Sequence, residues 1–184
     1  MEPDITQYPQ KVRVDYLKLV AAMAAADGYL HPAETALLQR WMTDFALDES
    51  AQKEVLEVAQ AKPDDQTVLK QPLEGTPLVY SLVLDMVTMA MVDGVLMDEE
   101  RLLLLEVAAH LGLHYKEFSI LIEFVHSAYQ AATLINPEPL YEHNIETAFE
   151  LFRRKEALLF PHNLFCTNSP GYDSQLKQRW LKAS

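Results

Sequence analysis

The stretch Ala26-Asp27-Gly28-Tyr29-Leu30-His31-Pro32-Ala33-Glu34 returns later as Val92-Asp93-Gly94-Val95-Leu96-Met97-Asp98-Glu99-Glu100. An offset of 66 residues aligns the two copies without a gap, and Leu37/Leu103, Leu38/Leu104, Phe45/Leu111 and Leu47/Leu113 continue the register. A repeat of this length means that one supersecondary unit is used twice. It constrains the fold before any single residue does.

The local pattern in each copy is helical. Val12, Tyr16, Leu17, Val20, Met23 and Ala24 recur at helical spacing. Gly28 can take the left-handed conformation that closes a helix. Pro32 suits the first position of the next helix, and Glu34 lies in its first turn near the unpaired N–H groups. Leu37, Leu38, Trp41, Met42 and Phe45 form its apolar stripe, and Asp48 is the expected N-cap of a third helix. The same order returns over Leu78–Val92, closed by Gly94; Met97–Leu111, closed by Gly112; and His114–Thr133. Each three-helix unit carries an apolar face that it cannot bury alone. The expectation is therefore an all-α fold, a single helical domain of about seven helices. It is built from two pseudo-symmetric three-helix repeats related by a twofold axis, plus a C-terminal helix. The boundaries are repeat one at 10–61, a Pro-rich linker at 62–77, repeat two at 78–133 and the extra helix at 140–160. Residues 1–160 make the domain and 161–184 a tail, in which Lys177, Arg179 and Lys182 cluster beside Trp180.

Charge and cysteine content narrow the function. With 27 acidic and 15 basic residues the chain carries -12, which disfavours nucleic acid and favours cations or basic partners. The lone Cys166 allows no internal disulfide and no cysteine-cluster zinc site. Met1-Glu2-Pro3-Asp4 does not read as a secretory signal, and no apolar run reaches membrane-spanning length. A cytoplasmic location is expected.

The Asp-Gly…Glu element invites comparison with a calcium loop. Gly28, Leu30 and Glu34 fall at the sixth, eighth and twelfth positions of an EF-hand. The first and third positions would then be Met23 and Ala25, or Met89 and Met91 in the second copy, and neither thioethers nor methyls ligate calcium. The EF-hand is excluded. Two readings stay open. The carboxylates of Asp27 and Glu34, and of Asp93 and Glu100, present a pair of ligands to a divalent cation, calcium or magnesium. Alternatively, Gly makes the turn, Glu starts the helix and Asp bonds nearby backbone. Glu123 and His126 have the Glu-x-x-His form of di-iron bundles, which need two such motifs, so a metal-dependent enzyme is a remote alternative. No nucleophile motif and no phosphate-binding loop is present, and the expected chain is not an enzyme.

The doubled Ala-x-Asp-Gly…Glu signature, carried by Ala25-Ala26-Asp27-Gly28 to Glu34 and Met91-Val92-Asp93-Gly94 to Glu100, resembles the TerB family of tellurite-resistance proteins. The resemblance covers roughly residues 12–130. It implies an all-helical bacterial cytoplasmic module without enzymatic activity, acting in tellurite resistance or general stress response. Its partners would be other proteins of that system at the inner membrane face. Carried over by position, it casts Asp27, Glu34, Asp93 and Glu100 as divalent-cation ligands. A related domain precedes J-domains in some membrane co-chaperones, but His31-Pro32-Ala33 lacks the Asp that J-type activity needs. A plain helical interaction or scaffold protein with no metal site is the competing expectation.

Overall fold

The computed structural model describes residues 4–61, 73, 76, 78–92, 96–133, 139–156, 178 and 182. After a single 3-10 turn at Ile5–Gln7, the helices are α1 (Gln10–Ala24), α2 (Pro32–Asp44) and α3 (Glu49–Gln60), then α4 (Val79–Ala90), α5 (Asp98–His110), α6 (Tyr115–Thr133) and α7 (Pro139–Arg154). No strand occurs among the described residues. Among the described residues this is the all-α fold of seven helices that the periodicity predicts.

The offset of 66 holds in the helix boundaries: α1 and α4 end at Ala24 and Ala90, α2 and α5 run from Pro32 to Asp44 and from Asp98 to His110, and α3 and α6 start at Glu49 and Tyr115. The cause is local chemistry that repeats. Phe45 N–H donates to Trp41 O (2.8 Å) and Leu47 N–H to Met42 O (3.1 Å); at the equivalent place Leu111 N–H donates to Val107 O (2.9 Å) and Leu113 N–H to Ala108 O (2.9 Å). Both helix ends are thus closed by a bond five residues back, which requires a left-handed residue in between. Gly112 supplies it in the second unit with φ +80°, while Ala46 adopts φ +50° in the first. Arg13 of α1 reinforces the first closure by donating from Nη1 to the carbonyls of Phe45 and Ala46. A cation at a helix C-terminus also meets the negative end of the dipole. Asp48 caps α3 as expected, accepting Ala51 N–H at 2.9 Å.

Two helices form the centre. Residues 81–90 of α4 are buried without a break, and α1 is buried at ten of its positions. α1 packs on α3 and α4, α4 on α6, and α6 most extensively on α7; α2 and α5 lie against the first helix of their own unit. The contact between α1 and α4 joins the two units. At its heart Tyr16, fully buried, donates its hydroxyl to Asp85 Oδ2 at 2.6 Å and shares a 3.0 Å bond with Ser81 Oγ. Burial, and then the Asp85 carboxylate, push the phenol well above its ordinary pKa, so it stays a donor.

The helix α7 differs in length from expectation. It ends at Arg154, not near Phe160; Lys155 and Glu156 form a turn, with Glu156 at φ +50°, and residues 157–160 lie outside the described residues. The Lys155 N–H still donates to Leu151 O at 3.0 Å, so the left-handed Glu156 closes the helix, and a long-range ion pair anchors its end. Lys155 Nζ lies 2.7 Å from Glu117 Oε1 at the start of α6, and this pair interacts electrostatically with Tyr80 of α4, whose phenol pKa is raised by burial first and then by the Glu117 charge. Upstream, Phe149 and Phe152 sit 5.9 and 5.5 Å from Phe124 of α6, ring centre to ring centre. The expected linker at 62–77 and tail at 161–184 fall almost wholly outside the described residues; within the linker Leu73 is buried, and in the tail Gln178 and Lys182 are helical and exposed.

Four outcomes follow from these contacts. A Cβ on Gly112 would meet nothing within 4 Å, so Gly112→Ala costs only the left-handed strain, about 1 kcal/mol. Ala46→Gly relieves the same strain, less the entropy that glycine adds to the unfolded chain, and raises stability by about 0.5 kcal/mol. Urea melts with unchanged slope check both signs. Tyr16→Phe removes a buried bond to a carboxylate and lowers stability by about 2 kcal/mol; a loss below about 0.5 kcal/mol in the same melts refutes that role. Finally, burial pushes the Glu117 carboxyl up, but the Lys155 ammonium and the His114 N–H outweigh it and hold the group below its ordinary value. The stability it contributes is present above the unfolded glutamate pKa of about 4.3 and is lost as pH falls through the lower folded value. Lys155→Met leaves burial dominant, so the acid-unfolding midpoint followed by far-UV circular dichroism moves to higher pH.

Candidate functional site

The first Asp-Gly…Glu corner is a helix–turn–helix joint built from short-range bonds. α1 gives way to a turn in which Ala26 N–H donates to Met23 O (3.0 Å) and Gly28 N–H to Ala25 O (3.1 Å). Gly28 takes φ +83°, a conformation open to glycine without strain. Exposed Asp27 folds back so that Oδ1 accepts Tyr29 N–H at 2.8 Å, which is an Asx-turn. The chain then enters α2 through a reciprocal cap. Ala33 N–H donates to His31 Nδ1 (3.1 Å) while His31 N–H donates to Glu34 Oε2 (2.7 Å), with Pro32 at the first helical position. Such a capping box satisfies two helix-end donors that would otherwise be unpaired. Glu34 is only 6% exposed; its carboxylate points at backbone. Tyr29, by contrast, stands 63% exposed, edge-on to the His31 ring at 6.3 Å.

The second corner repeats what can be compared. Val92 N–H donates to Met89 O at 3.2 Å, the counterpart of the Ala26 bond. Met97 N–H donates to Glu100 Oε2 at 2.8 Å, and Glu100 is 5% exposed. Asp93 and Gly94 lie outside the described residues. The entry of α6 uses the same device a third time, His114 N–H donating to Glu117 Oε2 at 3.1 Å. Periodicity alone did not single out Glu117. Its signal was the spacing His114-x-x-Glu117, which copies His31-x-x-Glu34. Asp85 carries no such signal, because nothing local announces its partner Tyr16, 69 residues away.

Among the described residues, no group of three or more His, Cys, Asp or Glu side chains is placed to hold a metal ion. Asp27, Glu34 and Glu100 therefore form no shared three-ligand centre. Calcium asks for roughly six to eight oxygens, whereas magnesium is commonly held by one or two carboxylates and several waters. The donor set of a single corner fits only the second pattern. Glu123 and His126 are both exposed on α6, and His126 stands edge-on to Tyr141 of α7 at 6.5 Å. His110 Nδ1 bonds the carbonyl of Glu106 at 3.0 Å, and Cys166 lies outside the described residues. No helix among the described residues is long and apolar enough to cross a membrane.

No curated protein and no solved structure was found to match the chain. The family model described as Tellurite resistance protein TerB does match, over residues 13–121. That span takes in α1 to α5 and the start of α6, with both Asp-Gly…Glu corners inside it. It covers more than half of the sequence, and the chain belongs to the TerB family.

Proposed function

We propose that this chain is a non-catalytic helical module of a bacterial tellurite-resistance or general stress-response system. In this reading it works in the cytoplasm by binding other proteins of that system at the inner face of the membrane. The observation that carries the reading is the TerB match over residues 13–121, which includes most of both helical units and both corners. A module built this way offers surfaces; its polar side chains at the corners are engaged in holding turns and helix ends.

The finer part of the proposal concerns a divalent cation at the corners, through Asp27 with Glu34 and Asp93 with Glu100. Each pair is seven residues apart in the sequence, the first across a tight turn, and among the described candidates the exposed Asp27 is the ligand most open to a hydrated ion. Water would complete the shell, as it does around magnesium. A second reading, favoured by the Tyr29 and His31 N–H bonds to Asp27 and Glu34, makes the corners purely structural and the protein a plain scaffold.

Thermal melting with and without magnesium or calcium separates the two. A ligand that binds only the folded state stabilises by RT ln(1 + [L]/Kd), about 2.7 kcal/mol at a hundredfold excess over Kd. For a chain of this size that raises the midpoint by about 5–10 °C. The Asp27→Asn, Asp93→Asn double variant is expected to abolish the rise. An unchanged wild-type midpoint at millimolar cation favours the structural reading. In cells, deletion of the gene is expected to sensitise the host to tellurite, with rescue by the wild-type chain; unaltered sensitivity under tellurite and general stress defeats the module's assignment to that system.

A further inference from the structure

Four leucines in a row, Leu102 to Leu105, cannot all face one side of a helix. Leu103 and Leu104 turn into the core at 8% and 1% exposure, whereas Leu102 is 62% exposed and Leu105 sits half-buried at the edge. Ala109, two turns beyond Leu102, continues the outward apolar stripe and is exposed. Exposed Asp98, Glu99 and Glu106 flank the stripe, against a single cation, Arg101, on its far edge. The outer face of α5 is thus an apolar line with an acidic border.

The protein carries its own control for this face. α2 starts and ends at the equivalent residues, so it shows what the fold needs there. At the positions of Leu102, Leu105 and Ala109 it has Ala36, Gln39 and Thr43, all exposed, and Arg40 replaces Glu106. The first unit folds with a small and polar outer face, so packing does not require leucine at the outward positions of the second. An exposed leucine that the fold does not use, ringed by carboxylates, has the anatomy of a contact surface.

We propose that the outward face of α5 docks a basic amphipathic helix of a partner protein. The partner's apolar stripe covers Leu102 and Ala109, and its Lys or Arg residues meet Asp98, Glu99 and Glu106, in the helix-on-helix mode of peptide recognition. Charge decides the occupant. A second copy of this chain would bring another -12 and the same carboxylates to the contact, so like charge opposes it. This inference rests on the reading of the chain as a binding module and names the chemistry of its partner.

The test uses the full chain and a synthetic Lys/Leu peptide with leucines at helical spacing, titrated at physiological ionic strength and followed by amide NMR. Shifts are expected to be confined to residues 98–110. Leu102→Ala and Glu106→Arg each install the residue type that α2 already bears at the matching position, so both variants are expected to melt like the wild type. Each weakens binding about tenfold, and Glu106→Arg also flattens its salt dependence. Leu140→Ser, which alters another exposed leucine on α7, leaves affinity unchanged. No binding, equal loss in the Leu140 variant, or shifts centred elsewhere overturns the proposal. So does concentration-dependent self-association that Leu102→Ala abolishes, because a second copy would then be the occupant. Shifts centred elsewhere leave the module reading intact, whereas an unaltered tellurite and stress phenotype fails that reading whatever the peptide does.

Discussion

The contact between α1 and α4 is the one on which the rest of the protein depends. Neither helical unit can bury its apolar face alone, and these two helices supply the faces that close on each other. Apolar packing between them is strong but indifferent to small slides of one helix along the other. The Tyr16 hydroxyl removes that indifference, because a 2.6 Å bond to Asp85 and a 3.0 Å bond to Ser81 are made at one register only. Slipping by one turn would leave a carboxylate in the core without this partner, at a cost several times that of a lost methyl contact. The three residues occupy places where the repeats differ: 66 residues away, Tyr16 answers to Leu82, Asp85 to Leu19 and Ser81 to Asp15. The polar bond therefore distinguishes the pairing of unit one with unit two from a pairing of either unit with its own kind.

Conversely, the corners are where the two units are alike, and their chemistry is that of helix ends. Glu34, Glu100 and Glu117 each place one carboxylate oxygen on the N–H three residues upstream. Three helices thereby start by the same rule, and because the donor is a backbone N–H it holds whether the residue opposite the glutamate is histidine, as at His31 and His114, or Met97. This separates two roles that the doubled signature had left merged. The glutamates have a structural task sufficient to account for their position. Of the described candidates only Asp27 combines exposure with a carboxylate, and any cation chemistry at the first corner leans on it.

How much of this was legible in the chain depends on the range of the forces involved. Helix starts and stops come from Pro32, Asp48, Gly28 and Gly112, each acting within a turn of itself, and these boundaries match the sequence reading to within a residue or two. Ala46 shows the limit of that logic, since a helix stop there carries no glycine and is held by Arg13 from another helix. The end of α7 at Arg154 shows it again: Glu156 turns left-handed there and the Lys155 side chain pairs with Glu117, a partner that periodicity cannot point to. The register of α1 on α4 was hidden for the same reason. Three of the four candidate ligands, Asp27, Glu34 and Glu100, lie among the described residues; that Glu34 accepts a backbone N–H is visible only with the rotamer it adopts.

Repetition followed by divergence also explains where the chain has room for a specific role. α6 starts in register with α3 but runs to Thr133 instead of stopping after three turns. Its additional length receives α7, and the Phe124, Phe149 and Phe152 rings lock the two together. Aromatic pairs of this kind contribute about 0.5–1.5 kcal/mol each beyond simple burial. The Lys155–Glu117–Tyr80 cluster then ties the end of α7 to α4 and to the start of α6. The helix beyond the family match is consequently part of the same core. Residues 81–90 of α4 are buried, and among the described helices α4 packs on α1, α5 and α6; the exposed outer surface of α5 is then free to be set by what it meets.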